Sequence, residues 1–165
     1  MLAIMKQTSK QILTMLAFVL PLLGGGGMVV AQSIVSEIVT DPLTGIALGG
    51  MDPVSYFTEP APLLGRGDYE FVWKGVPWYF ATAANRDIFE RSPEIYAPQF
   101  GGHGAMSAAR GFVSDANPAI YTVFKQRLYL FYSAGNREAF LLAPDEAASK
   151  AEANWPALAK TLSSR

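Results

Sequence analysis

The chain says nearly the same thing twice. Shifted by 51 positions with no gap, residues 69–94 lie on residues 120–145, and Val72, Lys74, Phe80, Ala83, Asn85, Arg86, Phe89 and Pro93 each meet the identical residue. Thr82 lies on Ser133, Asp87 on Glu138, and Trp73 and Trp78 on Phe124 and Tyr129, so the chemistry carries over where the identity does not. A period of this length means one supersecondary unit used twice.

Each unit reads as hairpin then helix. Tyr69, Phe71 and Trp73 alternate with Glu70 and Val72, which is a strand pattern. Lys74-Gly75 reverses the chain, and Val76 to Ala81 returns as a second strand with Pro77 near its edge or start. Thr82 is an N-cap residue for a helix carrying Asn85, Arg86, Ile88 and Phe89, which Ser92-Pro93 stops. The second copy predicts strands over Ile120–Phe124 and Arg127–Tyr132, a turn at Lys125-Gln126, and a helix capped by Ser133. A last Ala-rich helix is expected over about Pro144 to Leu158. Two hairpins with helices on one face make an α+β domain built on a small antiparallel sheet.

Lys6 and Lys10 followed by an apolar run from Ile12 to Leu23 form an export leader, with Val29-Val30-Ala31 offering a cleavage site before Gln32. The run falls short of the ~20 apolar residues of a membrane span, although an uncleaved anchor remains the alternative reading. Met5 is a second possible start. No Cys follows the run for lipidation, and there is no Arg-Arg pair for twin-arginine export. The expected organisation is a leader over 1–31, a lead-in over 32–48, and one domain over 49–160, placed in the periplasm or secreted, with no stable membrane span once the leader is gone.

The precursor has 13 basic and 14 acidic residues. Loss of Lys6 and Lys10 leaves 11 against 14, a net charge of −3 with no basic run, which gives nucleic acid no electrostatic footprint. The absence of Cys removes disulfides, thiolate catalysis and Cys-based metal sites. The domain must be held by its apolar core, to which 10 Phe, 7 Tyr and 3 Trp contribute.

Several blocks in order resemble the YHS-domain proteins of the long exported bacterial type. Asp52-Pro53-Val54-Ser55-Tyr56-Phe57 is similar to that family's opening "DPVAYF". Trp78-Tyr79-Phe80-Ala81 with Asn85-Arg86-Asp87-Ile88-Phe89 resembles its "YxFAsaeNrdaF" core, and Pro93 to Gly102 its "PekYaPqyGG" tail. Ala151-Glu152-Ala153-Asn154-Trp155-Pro156 resembles its "AdaNWP" close. The resemblance covers roughly Gly49 to Leu158. The resemblance implies metal handling only through the wider group, whose Cys residues bind soft metals; the leading reading is a non-enzymatic domain that binds a small ligand or a partner. Here the family's "GGyCA" reads Gly101-Gly102-His103-Gly104-Ala105, so Gly104 stands in the place of the Cys.

His103 is the chain's only imidazole, for acid–base work or for metal. With Met106 three residues on, it offers the nitrogen–thioether pair that suits copper(I) or haem, but two ligands make a weak site. The plainer reading packs the ring against Phe100 or a neighbour. A ligand site is expected around His103, with Tyr56 and Tyr96 as walls and Asp52 beside them. Asp52 suits the turn at Pro53 better than a catalytic role, since its side chain can bond the backbone two residues on. With Asp68, Glu70 or Asp87 it could offer oxygen ligands to a cation, though no spacing resembles an EF-hand loop. The paired Asn85-Arg86 and Asn136-Arg137 read either as an anion clamp or as locks of each helix onto its hairpin. Ser55, Ser107 and Ser114 lie in no nucleophile elbow, and Gly101 to Gly104 lack the Lys-Ser/Thr of a phosphate loop. The open alternatives are a hydrolase or isomerase with His103 as base and Asp52 as its orienter, and a pure interaction module. What differs between the copies is the better place to look for function. The Gly-rich stretch from Tyr96 to Met106 belongs to the first unit alone on this reading.

Overall fold

A computed structural model describes residues 37–163, so the expected leader and its expected cleavage site lie outside the described residues. The short helix α1 (Ser55–Thr58) precedes the hairpin β1 (Arg66–Trp73) and β2 (Val76–Phe80), followed by α2 (Ala83–Arg91) and α3 (Pro93–Tyr96). Then the order recurs: α4 (Ala105–Ala109), β3 (Asn117–Phe124), β4 (Arg127–Phe131), α5 (Ala134–Leu142) and α6 (Pro144–Ser163). The class is α+β, closed by a C-terminal helix. The hairpins do not merge into one sheet: β1 pairs only with β2 and β3 only with β4, both antiparallel. Each long strand shifts register, between Arg66 and Glu70 and between Asn117 and Tyr121. Such bulges are one of the ways an edge is kept from pairing further. Among the described residues no helix is long and apolar enough to cross a membrane.

The local signals act where they stand in the sequence. Thr82 Oγ1 accepts from Asn85 N at 3.1 Å and Ser133 Oγ from Asn136 N at 3.3 Å, so both N-caps form. Pro93 and Pro144 do more than stop the preceding helix: each opens the next one, a position where the missing N–H has no helical partner to lose.

The duplication is longer than 26 residues. Ahead of each short helix lies a left-handed turn, with φ of 54°, 59° and 83° at Leu48, Gly49 and Gly50 and of 56°, 61° and 90° at Phe100, Gly101 and Gly102. After it Asp52 N donates to Leu63 O, and Gly104 N to Ser114 O, both at 2.9 Å. Met51 bridges Leu64 as His103 bridges Asp115. Each copy is therefore turn, short helix, hairpin, capped helix and proline-led helix. The Gly-rich stretch expected to be unduplicated is the opening of the second copy, and its counterpart is Leu48 to Phe57.

Two apolar clusters form the core. The first gathers Val54, Tyr56, Val76, Trp78, Phe80 and Phe89 with Leu128 and Leu130; the second gathers Phe100, Ala105, Ala108, Tyr129, Phe131 and Phe140 with alanines of α6. Successive side chains of a strand face opposite ways, so β4 sends Leu128 and Leu130 to one cluster and Tyr129 and Phe131 to the other. The lead-in joins both copies: Val39 N donates to Gly101 O at 2.7 Å and Ala47 N to Pro77 O at 3.0 Å. Gly65 is required by contact, because a Cβ there would lie 2.5 Å from the carbonyl carbon of Tyr79.

Candidate functional site

Asp52 is fully buried and committed to structure. Its Oδ1 accepts from Val54 N at 2.9 Å and Ser55 N at 3.3 Å, and its Oδ2 from Ala81 N at 2.8 Å and Asn85 Nδ2 at 2.7 Å. A buried carboxylate is tolerated when its lone pairs are matched in this way. Four N–H donors tie the Asp-Pro turn to the end of β2 and to the first turn of α2. The lock of helix to hairpin is made by Asn85. The arginines instead pair with their own neighbours, Arg86 with Asp87 at 2.8 Å and Arg137 with Glu138 at 3.0 Å, and make no shared clamp.

The other expected site residues make no hydrogen bond to Asp52, and Tyr56 and Tyr96 belong to the first apolar cluster. Tyr56 O–H donates to the carbonyl of Pro118 at 2.9 Å, and its ring meets Tyr121 edge to face. Tyr96 packs edge to face on Phe57. Burial of Tyr56 pushes its phenol well above the usual tyrosine range. Met106 lines a shallow depression with Arg110 and Lys150.

His103 is 5% exposed, and neither ring nitrogen makes a hydrogen bond. The ring stacks at 5.6 Å on Trp155, and Nδ1 lies 3.6 Å from a carboxylate oxygen of Asp115, whose side chain is 81% exposed. Burial holds the imidazole below its ordinary pKa, with Asp115 and the Ser114 backbone opposing that effect. The plainer reading packs this ring against Phe100 or a neighbour; the aromatic ring it meets is Trp155, which itself packs on Phe100. Asp52 does not orient it.

The second copy has no counterpart of the Asp52 carboxylate. That place falls to Gly104, where a Cβ would sit 3.0 Å from Ser114 Oγ and 3.3 Å from Ser107 Oγ. These hydroxyls bond each other at 2.6 Å. Among the described residues no group of three or more His, Asp or Glu side chains is arranged to hold a metal ion. The surroundings of Gly104 therefore do not fit the thiolate metal site that the family resemblance implies.

A cleft between the copies brings together what the sequence scatters. It has a volume of about 380 Å³ and is lined by Trp73, Trp78 and Trp155, which are all the tryptophans of the chain, together with Phe100. Its polar lining includes Lys74, Glu94, Gln99 and Glu152. The first copy supplies Trp73, Lys74, Trp78 and Glu94; the second supplies Gln99, Phe100, Glu152 and Trp155. Trp73 and Trp78 meet at 5.7 Å, and Trp78 Nε1 donates to Trp73 O at 3.4 Å. Trp155 is steadied by Phe100 at 5.5 Å, while its neighbour Asn154 donates to the carbonyls of Ala108 and Ala109 at the end of α4. That bond accounts for the Asn-Trp-Pro block: Asn154 anchors α6, Trp155 faces the cleft, and Pro156, with no N–H, leaves the carbonyl of Glu152 without its usual helical donor. None of Asp52, Tyr56, Tyr96 or His103 lines this cleft. The sequence signals for it were the adjacent Trp73-Lys74 and the Trp of the closing block, which only the fold connects. No protein-family profile, curated protein or solved structure matches the chain.

Proposed function

We propose that this is an exported, YHS-like, non-enzymatic domain that holds a small ligand in the tryptophan cleft between its two copies. The observation that carries the reading is a cavity of about 380 Å³ walled by the half-buried Trp73 and Trp155, with Trp78 buried in its lining. This size and this mixture of aromatic wall with a few polar groups are those of small-molecule sites. Both copies contribute, so the site exists only in the assembled domain.

The hydrolase or isomerase alternative has less support. Its proposed orienter Asp52 has both carboxylate oxygens taken by backbone and amide donors, and its proposed base is buried against Trp155. The export half of the reading rests on the leader sequence and the YHS resemblance. It requires the mass of the exported protein to begin at Gln32.

The site is tested with N-phenyl-1-naphthylamine, a neutral apolar fluorophore. Saturable binding by the purified protein, weakened at least tenfold in Trp155→Ala, is the expected result. No saturable binding, or equal binding by the variant, would remove the cleft as a ligand site.

A further inference from the structure

Resting on that reading, we infer that the cleft's ligand is a small organic cation, an ammonium carrying alkyl groups. Indole faces carry the most favourable aromatic quadrupole for a cation, and cages of such faces are how alkylammonium groups are recognised. The chain already uses this chemistry within the cleft: Lys74 Nζ lies 4.5 Å from the centroid of the Trp73 ring. A ligand's ammonium would meet the partly exposed indole of Trp155, since Lys74 already covers Trp73 and Trp78 is buried.

The charges of the lining point the same way. Among the described residues, Glu37, Glu94 and Glu152 line the cleft against the one cation Lys74. Glu152 is paired with Arg127 on the flank of α6. Glu94 has neither an ion-pair partner nor a hydrogen-bond partner among the described residues, so its carboxylate is available to balance a bound cation. An anionic ligand would meet these carboxylates with only Lys74 in its favour. A neutral apolar ligand would use the rings and leave Glu94 with nothing to do.

The test compares choline with its uncharged isostere 3,3-dimethyl-1-butanol, following tryptophan fluorescence and displacement of N-phenyl-1-naphthylamine from the purified protein. Choline is expected to bind at least tenfold more tightly than the isostere. Glu94→Gln, an exposed change that leaves the core untouched, is expected to weaken choline several-fold and to leave the isostere unchanged. Equal binding of the two, or no effect of Glu94→Gln on choline, overturns the cation assignment. If the fluorophore binds in a Trp155-dependent way but choline does not displace it, the ligand class is wrong and the cleft survives as a site. If the fluorophore does not bind at all, the cleft reading fails and the cation assignment goes with it.

Discussion

Asn85 donates its side-chain amide to Oδ2 of Asp52 at 2.7 Å, 33 positions away in sequence. The equivalent Asn136 has only Gly104 where that carboxylate would stand, and its amide makes no hydrogen bond among the described residues. One motif, written identically in both copies, is thus a lock in the first and idle in the second.

Asn85→Ala should therefore lower stability by about 2 kcal/mol, the usual cost of losing a hydrogen bond to a carboxylate. Asn136→Ala should stay within about 0.5 kcal/mol of the parent. Urea midpoints of the two variants check this directly. Equal losses would mean that the second Asn has a partner of its own.

The turn joining β3 and β4 holds two non-glycine residues at positive φ, Lys125 at 49° and Gln126 at 60°. The first hairpin places Gly75 at the second of these positions, with φ 76°. A left-handed conformation costs a side-chain-bearing residue about 1–2 kcal/mol, and two-residue hairpins favour glycine there. Gln126→Gly should raise stability by about 1 kcal/mol, read as a higher urea midpoint with an unchanged slope.

His103 is held neutral by burial, its folded pKa lying below that of the unfolded chain. For such a base the stabilisation is present above the unfolded value near 6.5 and is lost as pH falls through the folded one. Stability should decline below about pH 6.5, by at most about 1.4 kcal/mol per pH unit for one proton. His103→Phe should abolish this component, because the chain has no other His. With two unmatched buried nitrogens removed, the variant should also be about 1 kcal/mol more stable at pH 7. A variant that keeps the acid decline would place the titrating group elsewhere.

Tyr56 shows the opposite edge of the pH range. Its phenol is raised by burial, so the native state keeps the neutral form while the unfolded chain ionises near pH 10. Stability is complete below that pH and falls as pH rises above it. Tyr56→Phe should flatten the alkaline decline. It should also cost about 1 kcal/mol at pH 7 through the lost bond to Pro118. Midpoints between pH 8 and 11 distinguish the two effects.

What was legible in the sequence is what neighbours in the chain decide. The hairpins, both turns, the caps at Thr82 and Ser133 and the prolines at 93 and 144 rest on local propensities, and each is found where its residues stand. The front of the repeat was hidden for a physical reason. Its left-handed turns are alike in φ and in pattern, an apolar residue followed by two glycines, at Leu48-Gly49-Gly50 and Phe100-Gly101-Gly102. Leu48 to Phe100 is, however, a shift of 52, one more than in the hairpins, so a gapless comparison loses the match. Asp52 kept a claim to chemistry because the sequence shows its local turn bond but not the distant donors at 81 and 85. The cleft was hidden because its tryptophans lie on β1, β2 and α6, and only tertiary packing brings them together.

The two-faced strand β4 has a consequence for how the duplicated domain can behave. In many repeat proteins a unit contacts its neighbour through a separable interface, and stability adds up piece by piece. Here a single five-residue strand serves as a party wall, with leucines papering one room and aromatics the other. A slip of one residue would exchange the two faces at once, and neither room would accept the other's furniture. The halves descend from one pattern, yet they have given up the freedom to come apart.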